Sequence, residues 1–297
     1  PRYCNKYLPN PTEVEILVGI RTRTVGWSGA LLGALVAVVV ASAGIGPVSI
    51  PPATVAKALL SADPLPFAFD VGRTQRIIVR DVRLPRIALA AFVGFALATA
   101  GTVMQGFFRN PMADPSIIGV SSGAAVGAVA TIVLPYALPF GLELQSAAFV
   151  SAVLTAFGVY LIGTRDGRTP TATLLLAGVA VQTFLGAIIS LLLLQSGQSI
   201  RRVVYWLMGH LGGTTWAEVR VIAVVLPPLF LLLLLYARDL NVLLLGEEDA
   251  HALGIEVERT KRLLLAASSV VTAAAVAVSG GIGFVGLIVP HAMRLLV

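Results

Sequence analysis

The chain has 297 residues, 57% of them hydrophobic and 12% charged, with a net charge of +6 and a mean hydropathy of +0.90. Water-soluble domains carry about 25% charged residues, so this composition excludes a chain that covers itself with a hydrated surface and points to a bilayer. The one cysteine, Cys4, excludes a disulfide framework and a cysteine-based metal site, and the basic residues sit between apolar runs, as membrane topology requires and nucleic-acid binding does not.

Residues 1–24 are polar and mixed; no cleavable leader is expected in them, and they read as a cytoplasmic N-terminal tail. A single transmembrane domain is expected over 25–297. Within it, eight apolar runs approach the ~20 residues that a spanning helix needs: 26–45, 87–108, 117–138, 146–162, 173–194, 219–236, 263–278 and 282–297. No alternating barrel-strand pattern is present, so the expected fold is an all-α, polytopic membrane helix bundle. Pro85 opens the second run at a position that needs no N–H, and Asn110-Pro111 closes it. Asp114-Pro115 and Thr169-Pro170 read as N-cap and first residue of the third and fifth helices. The last run reaches Val297 without a polar tail, which gives the look of a shortened sequence.

Small residues recur every four positions at Gly94, Ala98, Thr102 and Gly106, and again at Gly119, Gly123, Gly127 and Thr131. Such a flat face serves close helix packing, or a substrate path lined by small side chains. Ser121 completes a Gly-x-Ser-x-Gly run, but in an apolar helix start with no histidine–aspartate pair nearby, so no catalysis is expected there. His210, His251 and His291 share no ligand spacing, and no metal site is expected. The sequence contains no Gly-Lys pair, hence no phosphate loop.

An N-terminus in the cytoplasm places 12 of the 21 basic residues inside and nine outside, a small bias in the usual direction. The outer excess lies mainly in 63–86 and includes Arg83 and Arg86, which flank Pro85. Lipid phosphates or an acidic partner outside would each account for it. In 198–209, Arg201 and Arg202 precede Val203, Val204, Trp206 and Leu207, the pattern of an interfacial helix at the outer mouth. On the inner side, Gly246 precedes Glu247, Glu248 and Asp249, three acids where a helix N-terminus favours them. Ala250 and Leu253 fall on one side, and Gly254 supplies a stop. The segment is a solvated connector or a docking helix for a soluble partner.

At this point the motifs resemble a known family. Arg83-Leu84-Pro85-Arg86, Met104-Gln105-Gly106-Phe107-Phe108-Arg109-Asn110-Pro111-Met112-Ala113-Asp114-Pro115 and Ile118-Gly119-Val120-Ser121-Ser122-Gly123-Ala124 are similar to the FecCD-type permeases. These are the membrane subunits of type II ABC importers for haem, ferric siderophores and cobalamin. Trp206-Leu207-Met208-Gly209, the 245–254 segment and Gly283-Phe284-Val285-Gly286-Leu287-Ile288-Val289-Pro290-His291 extend the likeness over about 31–297. The resemblance implies a homodimer of ten-helix subunits, eight of them in this chain. Two ATP-binding cassette subunits lie beneath and a periplasmic or lipid-anchored substrate-binding protein above. It also implies that Gly246, Glu247, Glu248, Asp249, Ala250, Leu253 and Gly254 form the helix that couples to the ATPase. Arg83 and Arg86 would meet the binding protein, and Arg201 and Arg202 are grouped with them.

The expected function is therefore the permease subunit of an ATP-driven importer in the cell inner membrane. It has no catalytic site, no cofactor and no nucleic-acid partner of its own; ATP and Mg belong to the partner ATPase. Ser121, Ser122, Thr173 and Gln182 are candidates for the path lining, and Thr169 and Thr171 for its inner constriction. The Gly106–Pro111 run is most similar to haem-type members, with ferric siderophores next; a cobalamin importer is the alternative. An ion-coupled secondary transporter would place acids or lysines at mid-membrane, and the eight runs hold almost none away from their ends.

Overall fold

The computed structural model describes residues 11–60, 71–134 and 144–296, with side chains from Thr22 onward. The first ten residues of the expected tail, part of the 63–86 segment and the end of the 117–138 run lie outside the described residues. Among the described residues there is no strand, only an isolated bridge between Arg165 and Arg168. Six helices are long and apolar enough to cross a membrane, and two shorter apolar ones occupy the remaining runs. The chain thus folds as an all-α bundle of the expected kind, with a helix in each of the eight apolar runs.

The contacts group the chain into two compact units. The first comprises the described residues of Pro1–Arg83 and His291–Val297. It holds α1 (Pro11–Gly44), α2 (Pro52–Leu60), α3 (Arg73–Ile77) and a wider π-type stretch, Ile78–Arg83. The boundary drawn after residue 24 falls inside α1. Apolar content marks the spanning part of a helix, not its hydrated extension, and Pro11 stands at the favoured first helical position. Leu32, Val36 and Val38 of α1 are exposed. The guanidinium of Arg83 donates to the carbonyl oxygens of Ala43 and Val48, pinning the end of α1 to the chain that follows.

The second unit, Leu84–Pro290, contains α4 (Leu84–Phe107), a one-turn 3-10 helix (Pro115–Ile118), α5 (Val120–Val133), α6 (Leu144–Gly163), α7 (Thr171–Gln195), α8 (Ile200–Leu207), α9 (Trp216–Leu235), α10 (Ala237–Leu243), α11 (Glu247–Ala252), α12 (Val257–Ser279) and the start of α13 (Val285–Leu296). Two apolar clusters hold it together. One gathers Met104, Ile118, Val129, Leu174 and Trp206 around α5, α6 and α7; the other gathers Leu89, Ile222, Leu226 and Leu264 around α4 and α9. Residues of α12 enter both, Leu265 and Val276 the first, Leu264 and Val271 the second. About two-thirds of its most apolar stretch (67%) is buried, the largest share among the long helices, so α12 is the central post of this unit.

Three turn readings change in detail. Asp114 does cap, accepting the Ser116 N–H at 2.9 Å with Pro115 next in line. What it caps is the 3-10 turn, because Gly119 adopts a left-handed φ of 81° and breaks the third run before α5 starts. Thr169 is not the N-cap of α7; Pro170 holds that place and the Thr169 backbone is used elsewhere. Pro85 is the second residue of α4, but helical backbone already precedes it from Arg73; a π-type turn leaves room for a ring with no N–H to give. Asn110 behaves as expected: α4 ends at Phe107, and the Asn110 side chain accepts the Met112 N–H at 2.9 Å.

The two small-residue faces also separate. Gly123 and Gly127 press on α6: a Cβ on Gly123 would lie 2.6 Å from Thr155 Cβ, and one on Gly127 would lie 2.7 Å from Ser151 Cβ. On α4 the expected face is mostly not the contact. Gly94 has open space beside it and Thr102 is exposed. The tight approach is instead at Gly101, whose added Cβ would lie 2.6 Å from the Gly286 carbonyl carbon. Spacing identifies the small residues, but cannot decide which of two faces meets a neighbour.

Candidate functional site: two opposite ends of the bundle

The second unit carries candidate surfaces at two ends, separated by the length of α7. Its 25 residues span about 37 Å at 1.5 Å per residue.

At the end where α7 begins, α11 forms as the acid-rich turn predicts. Gly246 precedes it at φ 148°, a conformation open to glycine, and Glu247, Glu248 and Asp249 fill its first turn. Closure is a glycine stop: Gly254, at φ 85°, donates to the His251 carbonyl at 3.0 Å, and Ile255 reaches back to the Ala250 carbonyl at 3.0 Å. One expectation fails. Ala250 and Leu253 do not share an environment; Ala250 is buried, whereas Leu253 is 64% exposed. With Leu244 and Leu245 also exposed, this end presents leucines beside an acidic turn.

The same end contains a residue that sequence reasoning missed. Lys261 precedes the apolar run 263–278 in sequence, but α12 starts at Val257, earlier than that run, and carries Lys261 into the interior. Its ammonium donates to the Thr169 carbonyl and to Glu247 Oε1 at 3.1 Å, with Glu258 Oε1 at 3.5 Å. Thr169, expected at a constriction, is thus buried in this network, and its N–H donates to Glu258 Oε2 at 3.0 Å. A lysine four residues after Val257 and three after Glu258 was the available signal, visible only once the helix start is placed correctly.

At the other end, α8 is amphipathic: Arg201 and Arg202 are exposed, while Val203 and Trp206 are buried. A cavity of about 230 Å³ lies there, lined among others by Leu89, Arg202, Tyr205, His210 and Glu218. The Tyr205 and His210 rings stack at 4.1 Å, and burial pushes the His210 imidazole below its usual value. Glu218 is committed to a capping box with Thr215 at the start of α9. Arg86 is exposed on the first turn of α4. Arg83, in the first unit, is half-buried and holds the Ala43 and Val48 carbonyls, so its guanidinium is already engaged.

The path candidates do not converge on one lining. Ser121 borders a cavity of about 220 Å³ with Asp114, Ser116 and Thr272. Gln182 donates to the Ile117 carbonyl at 2.8 Å, satisfying the backbone where the third run breaks. Thr173 is exposed, while Thr171 and Ser122 are half-buried. Among the described residues, no group of three or more histidine, cysteine or acidic residues is placed to hold a metal.

Comparison with known proteins fits this architecture. The model of the FecCD transport family matches residues 34–297. The cobalamin import system permease protein BtuC of Halobacterium salinarum is 53% identical over 93% of this chain and 82% of its own length. The hemin transport system permease protein HmuU of Yersinia pestis is 44% identical over 72% of this chain and 65% of its own length, so the match spans just under two-thirds of that relative. A solved chain, described as an inward-facing conformation of an ABC transporter assigned to the metal-chelate type, superposes with a TM-score of 0.77 at 32% identity, covering 90% of this chain and 80% of its own. With these matches and six helices long and apolar enough to span, the chain belongs to the FecCD transport family and is a multi-pass permease of the ABC-importer kind.

Proposed function

We propose that two copies of this chain line the central path of an importer in the cytoplasmic membrane, powered by two separate ATP-binding cassette subunits and fed by a substrate-binding protein outside. The observation that carries this reading is α11, a short helix with three acids in its first turn and exposed leucines beside it. An apolar patch rimmed by charge suits docking of a soluble protein. The opposite end offers exposed Arg86, Arg201 and Arg202, whose guanidinium forks suit carboxylates on a binding protein. Arg83 contributes by holding its own segment in shape.

The cargo in this reading is a metal chelate. The Gly106–Pro111 run supports haem, and the 53% identity to a cobalamin permease supports cobalamin equally. ATP binding would move the ATPases, α11 would follow, and access to the path would switch sides. Reconstitution with the cognate ATPase and binding protein in liposomes tests the reading. ATP-dependent uptake of haemin or cyanocobalamin is expected; uptake driven by an ion gradient without ATP would overturn it.

A further inference from the structure

Lys261 lies in the second turn of α12 and is 4% exposed. An ammonium is costly to remove from water unless its donors are met. Here three donors face three acceptors: the Thr169 carbonyl, Glu247 and Glu258. The acceptors come from three different elements, the α6–α7 connection, α11 and α12 itself. The second oxygen of Glu258 takes the Thr169 N–H. The residue Thr169 is therefore gripped at both its backbone groups, N–H by one α12 side chain and carbonyl by another.

The gripped segment is stiff. Arg165 and Arg168 exchange both backbone hydrogen bonds, at 2.8 and 2.9 Å, around Asp166 and Gly167 at φ 51° and 74°. Thr164 Oγ1 sits 3.1 Å from Thr169 Oγ1. Two residues after Thr169, α7 begins. Among the described residues, the ion pair that leaves α11 is Glu247 with Lys261, and burial at the lysine shields that pair from salt.

We propose that Lys261 is a positioning residue that ties α11 to the α6–α7 connection, so that displacement of α11 is delivered to the start of α7. The proposal rests on α11 being the ATPase-docking helix. A compact ammonium suits the task, because it can serve acceptors from three directions where a planar guanidinium cannot. Lys261→Met keeps the bulk of the stem and removes the ammonium. Glu247 and Glu258 are 45% and 29% exposed, so water can take over their oxygens and the helices remain packed.

The first test needs no ATPase. Nitroxides are placed at Glu248→Cys and Arg168→Cys in a Cys4→Ser background, and their separation is measured by pulsed EPR on the purified permease. With labelled chain diluted in an excess of unlabelled chain, so that pairs within one subunit dominate, a single narrow distance is expected, broadened by Lys261→Met and by Glu258→Gln, the second variant guarding against a folding defect in the first. An unchanged width in both variants overturns the tie. In the reconstituted complex, with haemin and cyanocobalamin run side by side, Lys261→Met should lower uptake per ATP hydrolysed about three- to thirtyfold. Adding Glu258→Gln should cost nothing more, since both act through one link. Unchanged uptake per ATP, or additive losses, overturns the proposal. Co-purification of the ATPase with Glu248→Lys and Leu253→Ala variants reports the docking reading separately. If the ATPase still binds fully, α11 is not its dock, whatever the EPR widths show.

Discussion

Alanine at two glycines of α4 should act in opposite directions. At Gly101 the new Cβ would sit 2.6 Å from the Gly286 carbonyl carbon and 2.8 Å from its Cα. The obstacle is backbone, which cannot rotate aside, so the cost belongs at the upper end of overpacking, about 3 kcal/mol. At Gly94 nothing lies within 4 Å, and alanine gains helix propensity worth about 1 kcal/mol. The two variants therefore differ by about 4 kcal/mol. Unfolding entropy near 2.1 cal/mol/K per residue gives about 0.6 kcal/mol/K for this length, and midpoints about 6 °C apart. Thermal unfolding of the two purified variants in one detergent measures this directly. Equal midpoints, or a lower one for Gly94→Ala, would refute the close approach of α4 to the start of α13.

The arginines beside Pro85 should also separate. Arg83→Met loses two hydrogen bonds from a charged donor and should destabilise by about 1.5–3 kcal/mol. Arg86→Met, at an exposed site, should stay within about 0.5 kcal/mol while weakening capture by the binding protein; denaturation and pull-down read the two effects. The His210 imidazole is held below its usual ~6.5 by burial. A depressed folded value means its stabilising contribution is complete above about 6.5 and is lost as pH falls towards the folded value. Unfolding midpoints at pH 7.5 and pH 5 should therefore differ more for the native chain than for His210→Gln. Finally, the purified chain should hydrolyse no ATP until its ATPase partner is added, as phosphate release will show; turnover by the clean chain alone would count against the assignment.

The fold was legible from the apolar runs because a bilayer leaves helices as the ready way to satisfy the backbone. Each of the eight runs contains a helix, and the acidic turn after Gly246 located α11. Local pattern does not supply the partners that lie far away in sequence. Lys261 looks like a loop charge until its neighbours 92 and 14 residues away are known. Arg83 looks like a free outer arginine until the 43–48 segment folds onto it. Thr169 and Gln182 read as path hydroxyl and amide; the Thr169 hydroxyl sits against the Thr164 hydroxyl, and the Gln182 amide donates to the Ile117 carbonyl. Local pattern reports helix type and exposure on average, and says little about which polar groups are already taken.

The break before α5 bears on how this protein is made. At 14 residues α5 is about 21 Å long at 1.5 Å per residue, short of the ~30 Å hydrocarbon thickness. The 3-10 turn and left-handed Gly119 ahead of it leave backbone that cannot satisfy itself in lipid. Its relief comes from Gln182, 65 residues later, which caps the Ile117 carbonyl, while Gly178 lets α7 close on the same turn. During synthesis, α5 has to wait for α7 before it is at home in the membrane. Insertion of α5, α6 and α7 is therefore a joint event, and a nascent chain stopped before Gln182 should leave α5 poorly retained in the bilayer.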